Sequence, residues 1–375
     1  MSMSQVVAKI SNIDEESNIL KFTLSNVNVS YANALRRVLL SDIPIIVFKT
    51  QPYKENNVNI LINKTRMNNE LLKQRISSIP IHINNINEFP YEDYEVELDM
   101  NNETNSMVFV TTENFKIRNI ATKNYLSATE TKAIFPPDPI TGDYIDIIRL
   151  RPKLSDVMES EKLKFSAKLA ISTAGVDAVF NVVATSAYGN TLDPTKIKDT
   201  WEEKEKELKE KYEKEEIASM KADWLLLDAK RLYIADSFDF ILETIGIYSN
   251  FKLMNLASAK LIEKLYMFLD ALKSNADLII EPADTMENCY VIIIENEDYT
   301  IGKIMEYYLY NTLFVEKKEI NFVGFLKKHP HDTDSFIKMS YKIPISKDEI
   351  IVTMEEAVNQ SALLLKSIKD HFDNE

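Results

Sequence analysis

The chain has 375 residues, 45% of them hydrophobic, with 58 acidic against 44 basic side chains and a net charge of −14. That is enough apolar material for one large core or two to three smaller ones without disulfide or metal staples, and the acidic balance argues against a broad electrostatic grip on DNA or RNA. The single cysteine, Cys289, excludes an internal disulfide, a four-cysteine zinc site and a cysteine-held iron–sulfur cluster, and fits a reducing compartment as a small buried hydrophobe beside a strand.

Residues 5–27 read as a strand pair, Val6–Ile10 and Ile19–Leu24, joined by the polar turn Asp14–Asn18. A helix follows in which Tyr31, Ala34, Leu35, Val38 and Leu39 recur at i, i+3, i+4, i+7 and i+8, with Ser30 placed to cap it and Pro44 to stop it. Ile45–Lys49 and Val58–Asn63 have strand character, and Asn68–Ser77 forms a short helix ahead of Pro80. From residue 82 to 163 the pattern changes to short strands, Tyr94–Leu98, Met107–Thr111 and Tyr144–Leu150, with irregular links, which predicts an inserted, mostly β lobe. Lys164–Ile171 and Ala178–Thr185 return to strand pattern and are expected to close the sheet opened by residues 5–63.

Trp201–Glu216 is almost wholly charged, with Glu202 and Lys206, Glu205 and Lys209, Glu207 and Lys211, and Glu210 and Lys214 in the favourable i, i+4 order, each worth roughly 0.2 to 0.5 kcal/mol. A solvated helix is expected there, with a charged docking arm as the alternative. Asp236–Ile247 reads as a strand. Met254, Ala257, Leu261, Leu265, Phe268, Leu269 and Leu272 then mark a strongly amphipathic helix. Ser274–Glu287 is the expected join.

After the strand Tyr290–Ile294, the first stripe recurs as Ile301, Ile304, Met305, Tyr308 and Leu309, with Thr300 in the capping place. Strands Ile320–Leu326 and Ser335–Tyr341 flank a turn at His329–Asp332, and a last helix has capping-box spacing at Thr353–Glu356 and the stripe Ala357, Leu364, Leu365, Ile368 and Phe372. Two matching stripes behind similar strands predict two related halves, an intramolecular pseudo-dimer. The fold class is therefore α+β: residues 1–81 and 164–273 make one module, 82–163 an insert, 274–287 the join and 288–375 the second module.

Chemistry is sparse. His329 and His331 beside Asp332 and Asp334 are the nearest thing to a metal cluster, and a polar turn explains them better; a metal-dependent hydrolase built on them is the enzyme-class alternative. Glu295, Glu297 and Asp298 are expected to solvate a turn and favour the following helix N-terminus rather than chelate a cation. No phosphate-cradling, dinucleotide, zincin or nucleophile-elbow motif occurs, and six glycines leave little to build one from. No apolar run approaches a membrane span, and MSMSQVVAKI lacks the pattern of a secretory leader. Arg36 and Arg37, on the flank of the first stripe, are placed to grip a carboxylate on a partner. The expectation is a chain without catalytic residues, metal or cofactor, whose work is association.

The segment Asn33-Ala34-Leu35-Arg36-Arg37-Val38-Leu39-Leu40-Ser41-Asp42-Ile43-Pro44 resembles the hallmark of the alpha-like subunits of DNA-directed RNA polymerase: bacterial alpha, archaeal D and the third-largest subunit of eukaryotic polymerase II. Asn63-Lys64-Thr65, Asn69-Glu70 and Arg75-Ile76 through Ile79-Pro80-Ile81 resemble that family's second helix. The second half, through Glu297–Gly302, Phe322–Phe325 and His329-Pro330, is similar to the small partner of that subunit, archaeal L and the eleventh subunit of polymerase II, with Tyr299 where a histidine is usual. The resemblance covers about residues 5–80, 164–190, 232–273 and 278–372.

It implies a natural fusion of the two subunits, with the ten stripe residues as the dimer seam and Arg36, Arg37 and Arg75 as partner contacts. It further implies assembly with the second-largest and largest polymerase subunits and with small zinc-binding subunits. A fusion of this kind, with a composition rich in Asn, Ile and Lys that points to AT-biased coding, suggests a large DNA virus of eukaryotes, hence a cytoplasmic factory or virion; otherwise the nucleus is expected. An unrelated pseudo-dimeric interaction module is the alternative.

Overall fold

The computed structural model describes residues 7–153, 155, 159–282 and 286–373. Val6, expected in the first strand, and residues 283–285 of the expected join lie outside the described residues.

β1 (Lys9–Glu16) and β2 (Ile19–Ser25) form a hairpin, turned at Ser17 and Asn18 with φ of +51° and +66°, the left-handed conformation that Asn tolerates well. α1 (Val29–Ser41) begins not at Ser30 but at Asn28, whose Oδ1 accepts the Ser30 backbone N–H at 3.0 Å. β3 (Ile45–Val47), β4 (Val58–Asn63) and α2 (Asn69–Ser77) follow, α2 capped by Asn68. Next come β5 (Tyr94–Asn101), β6 (Val108–Thr111), β7 (Lys116–Asn119), α3 (Ala128–Ile134) and β8 (Asp146–Leu150). β9 (Lys162–Lys168) and β10 (Ala170–Ser172) lead to a short 3-10 turn at Ala178–Phe180, so that β11 (Val183–Leu192) starts later than expected. Asp177 causes the delay: its carboxylate accepts the Val179 N–H and caps the turn.

The charged stretch is two helices, α4 (Pro194–Leu208) and α5 (Lys214–Leu226), rather than one. Glu213 and Glu216 form a capping box that starts α5, placing Glu210 and Lys214 on opposite sides of the break, while Glu205 and Lys209 do pair at 2.7 Å. The pair has a small core of its own, Trp201, Ile217, Trp224 and Ala229, with the indole rings 5.3 Å apart. The sequence stretch read as solvated ended before Trp224, the residue that gives Trp201 its partner.

β12 (Tyr233–Thr244), α6 (Asn250–Ser274) and β13 (Ile279–Ile280) follow. β13 lies inside the expected join and pairs with β14 (Cys289–Ile294), so the join contributes to a sheet. α7 (Tyr299–Leu309) runs on as a π-helical stretch over Tyr310–Glu316. β15 (Ile320–Leu326), β16 (Ser335–Tyr341) and α8 (Lys347–Phe372) complete the chain. The capping box of α8 is Ser346 with Glu349; Thr353 lies inside the helix, its hydroxyl turned back onto the Glu349 carbonyl at 2.9 Å.

Two compact units are present, and they divide the chain differently from the expected modules. One draws on Met1–Leu39, Thr185–Glu243 and Asn250–Glu375, the other on Leu40–Ala184 and Thr244–Ser249. In the second unit a four-stranded sheet has the order β4-β9-β5-β7, flanked by the pairs β3–β10 and β6–β8. β9 bonds β4 on one side and β5 on the other. The strands on both sides of the expected insert thus share one sheet with it, which is why residues 40–81 and 164–184 fall in the same unit as 82–163. Phe48, Phe115, Phe135 and Phe165 meet at the centre of its core, Phe48 stacked on Phe135 and the other pairs edge-on, with ring centroids 4.9 to 6.3 Å apart.

The first unit holds two antiparallel four-stranded sheets, β1-β2-β12-β11 and β13-β14-β16-β15. Its broadest helix packing is α6 on α8. Asn255 bonds Asp373, Tyr266 bonds Asn359 at 3.2 Å and Lys273 pairs with Glu355 at 2.8 Å. Numbers rising along α6 as they fall along α8 make the pair antiparallel. Leu253, Ala257, Leu261, Leu265 and Leu272 of α6 and Ile350, Met354, Val358, Leu365 and Ile368 of α8 are fully buried.

Candidate functional site

The two striped helices belong to the first unit. Tyr31, Ala34, Leu35, Val38 and Leu39 of α1 and Ile301, Ile304, Met305, Tyr308 and Leu309 of α7 are each at most 6% exposed. The 3.6-residue period puts all five of each set on one face, and their burial follows from that. The helices meet through polar and aromatic side chains. Tyr31 packs edge-on against Tyr307 with centroids 6.3 Å apart, and its hydroxyl donates to Ser361 Oγ of α8 at 2.9 Å. Burial drives the Tyr31 phenol far above its ordinary pKa, against the smaller opposing effect of the Ser361 bond, so it stays a neutral donor.

At the other end of α1, Arg37 turns inward. Its Nε donates to Thr300 Oγ1 at 2.9 Å, and its guanidinium pairs with Asp298. Asp298 is the true N-cap of α7, where Thr300 was expected: its Oδ1 accepts both the Thr300 backbone N–H at 2.9 Å and the Thr300 hydroxyl at 2.8 Å. Burial alone would raise the Asp298 carboxyl. The Thr300 bonds and the Arg37 charge outweigh it and hold the group below the usual carboxylate range.

Arg37 was expected to grip a partner's carboxylate and instead grips one within the chain. Arg75 is likewise committed inside the second unit, donating to the backbone carbonyls of Asp146 and Ile147 at 2.6 and 2.8 Å and tying α2 to β8. Arg36 is half-buried, its Nε bonded to Asn33 Oδ1 at 3.1 Å one turn back. The acidic turn ahead of α7 is more than solvated, since Glu297 pairs with Lys264 of α6 at 3.1 Å. In the expected polar turn, His329 Nδ1 accepts the His331 N–H at 3.1 Å and Asp332 accepts the His329 N–H at 3.0 Å.

Two recesses flank the Tyr31–Tyr307 contact. One, of about 430 Å³, is lined by Val7, Tyr308, Leu363 and Leu364; the other, of about 490 Å³, by Asn33, Tyr188, Lys303 and Tyr310, and both reach Asn28 and Tyr307. Sequence reasoning missed Asn28, Tyr307 and Ser361, and expected Asp298 to favour the helix N-terminus without naming it the cap. The signal for both caps was present in the shared spacing Asn28-x-Ser30 and Asp298-x-Thr300.

The model of the RNA polymerase Rpb3/Rpb11 dimerisation domain matches residues 21–265, from β2 through α1 and the second unit into α6, well over half of the chain. The chain belongs to that family. It is similar to DNA-directed RNA polymerase II subunit rpb3 of Dictyostelium discoideum, 30% identical over 95 residues, 24% of this chain and 29% of that protein. RNA polymerase II subunit RPB3 of Schizosaccharomyces pombe is 34% identical over 87 residues, 23% of this chain and 26% of the relative. The RNA polymerase subunit Rpo3 of Thermococcus kodakarensis is 28% identical over 101 residues, 26% of this chain and 36% of the relative. The aligned chain thus spans about a quarter to a third of these relatives' lengths. The resemblance to the alpha-like subunits is met at the level of the family, and α7 to α8 lie beyond the matched residues. Among the described residues no helix is long and apolar enough to cross a membrane.

Proposed function

We propose that this chain is a noncatalytic assembly scaffold of a multisubunit DNA-directed RNA polymerase, in which a third-subunit-like half and an eleventh-subunit-like half are fused into one alpha-like platform. One observation carries the reading: the chain holds two copies of one plan within its first unit. Each copy is a four-stranded antiparallel sheet, a striped helix capped by an Asn or Asp two residues before a Ser or Thr, and a long amphipathic helix. α1 and α7 are the first pair of equivalent helices and α6 and α8 the second. A pseudo-twofold relating them makes the stripe residues the seam.

On this reading the third-subunit-like module takes in 1–81 and 164–273, the eleventh-subunit-like module 288–375, and the lobe 82–163 is carried on the sheet it shares with β4 and β9. Partners are the second-largest and largest subunits and small zinc-binding subunits. Arg36 is the remaining candidate for a partner's carboxylate, since Arg37 and Arg75 are engaged internally. An unrelated interaction module is disfavoured by the family match. The net charge of −14 favours contact with nucleic acid through partners. Viral origin with cytoplasmic transcription fits the composition and stays part of the proposal.

Affinity purification of the chain from its native source at moderate salt, with mass spectrometry of co-purifying proteins, tests this. Two very large polymerase subunits and small zinc-binding ones in equal amounts are the expected result; recovery of the chain without them overturns it.

A further inference from the structure

A constant offset of 270 residues superposes the two stripes: Tyr31 on Ile301, Ala34 on Ile304, Leu35 on Met305, Val38 on Tyr308 and Leu39 on Leu309. The same offset places the cap Asn28 on Asp298, Ser30 on Thr300 and Arg37 on Tyr307. The stripes match in apolar character, whereas Asn28 against Asp298 and Arg37 against Tyr307 differ in charge. At one end of the α1–α7 contact Arg37 meets the Asp298–Thr300 cap. At the other end its counterpart Tyr307 stands beside Asn28 and against Tyr31. Asn28 Nδ2 in turn bonds Asp236 of β12 at 3.3 Å.

We propose that Arg37, Asp298 and Thr300 form a pairing code that makes the first half choose the second half rather than its own kind in another copy of the chain. The inference rests on the pseudo-dimer reading. The apolar stripes select by volume, since Ala34 stands on Ile304 and Val38 on Tyr308. Further selectivity comes from polar groups that are satisfied in one pairing and stranded in another.

Pairing of first with second half gives one closed network: Arg37 Nε to Thr300 Oγ1, Thr300 Oγ1–H to Asp298 Oδ1, and the guanidinium to Asp298. Two chains that exchanged partners like-for-like would hold a second–second contact with two Asp298 carboxylates facing Tyr307 rings and no guanidinium. Their first–first contact would set two Arg37 side chains against neutral Asn28 caps, with Asp236 of the exposed strand end as the nearest carboxylate. The carboxylate stranded against tyrosine is the costlier of the two, since removing one partner leaves the other partly buried and unpaired. The code therefore acts chiefly against second–second pairing, and so against two-copy particles.

Four full-length proteins test it: the unchanged chain, Arg37→Glu, Asp298→Arg and the swap Arg37→Glu with Asp298→Arg. Their masses are measured by sedimentation equilibrium at micromolar concentration, alongside amide exchange of α1 and α7. The unchanged chain and the swap should run as one copy with α1 and the body of α7 protected, the first turn of α7 less so in the swap because arginine cannot cap it. Each single reversal should raise the two-copy fraction by about tenfold or more, a factor within what close charge pairs confer. Asp298→Asn, which keeps a good capping acceptor while removing the charge, should shift in the same direction and serves if the reversals unfold. Protected helices with no change in mass in Asp298→Asn and the reversals overturn the code and leave the seam standing. Unprotected α1 and α7 amides in the unchanged chain overturn the seam and the code together.

Discussion

Gly302 shows how a single missing methyl can fix a packing arrangement. It lies on the buried face of α7, and a Cβ there would stand 1.9 Å from the Phe325 ring of β15. Phe325 also meets Tyr299 edge-on at 5.1 Å and lies under the Lys303 ammonium at 5.8 Å, so it cannot move aside freely. Gly302→Ala should destabilise the first unit by about 1 to 3 kcal/mol through overpacking, even though alanine is the better helix former. Urea unfolding checks this, and Gly302→Ala with Phe325→Leu should recover part of the loss. Asp298 gives the residue-scale pH effect. Its carboxyl titrates below the usual range when folded, so its stabilising contribution is complete above about pH 5 and is lost as pH falls through the folded value. Asp298→Asn should therefore lower the melting temperature near neutrality, with the difference from the unchanged chain closing as acidification carries the pH below the usual carboxylate range.

Elements were legible where the local pattern decided them. β4, β15 and β16 stand at the residues their alternation gave, and α2 begins where Asn68 caps it. Ends set by competition between acceptors were not. In α8 both Ser346 with Glu349 and Thr353 with Glu356 have capping-box spacing. Ser346 is preferred because Ile350 and Met354 carry the buried face about two turns further back than the stripe starting at Ala357 suggested. Ser346→Ala should cost about 1 kcal/mol, whereas Thr353→Ala should cost less because its hydroxyl bonds a helix carbonyl rather than an orphan N–H of the first turn. Paired melting curves of the two variants separate the alternatives. Similarly, the ten stripe residues were visible from spacing alone, while Arg37's direction was not: sequence placed it on a flank, and only the fold brings the Asp298 cap to meet it.

At the scale of the molecule, the boundary between units follows backbone pairing rather than composition. Residues 82–163 look different in sequence from what surrounds them, yet β5 lies on β9, which lies on β4, and hydrogen-bonded strands are hard to assign to separate folding units. The apolar side chains agree. Every residue of the core around Phe165, from Ile46 to Leu169, belongs to the second unit, and it includes Leu72 and Ile76 of α2 on one side of the expected insert and Ala167 on the other. A cavity made there should act on that unit as a whole. Phe165→Ala removes a fully buried ring that packs on Phe115 at 5.9 Å, a change that typically costs about 3 to 5 kcal/mol. Amide exchange should then quicken throughout β4, β5, β7 and β9, while α6 and α8 keep their protection because their buried faces lie in the other unit. If β4 and β9 stayed protected while β5 and β7 opened, residues 82–163 would behave as a separate lobe. The division that follows composition would then be the correct one.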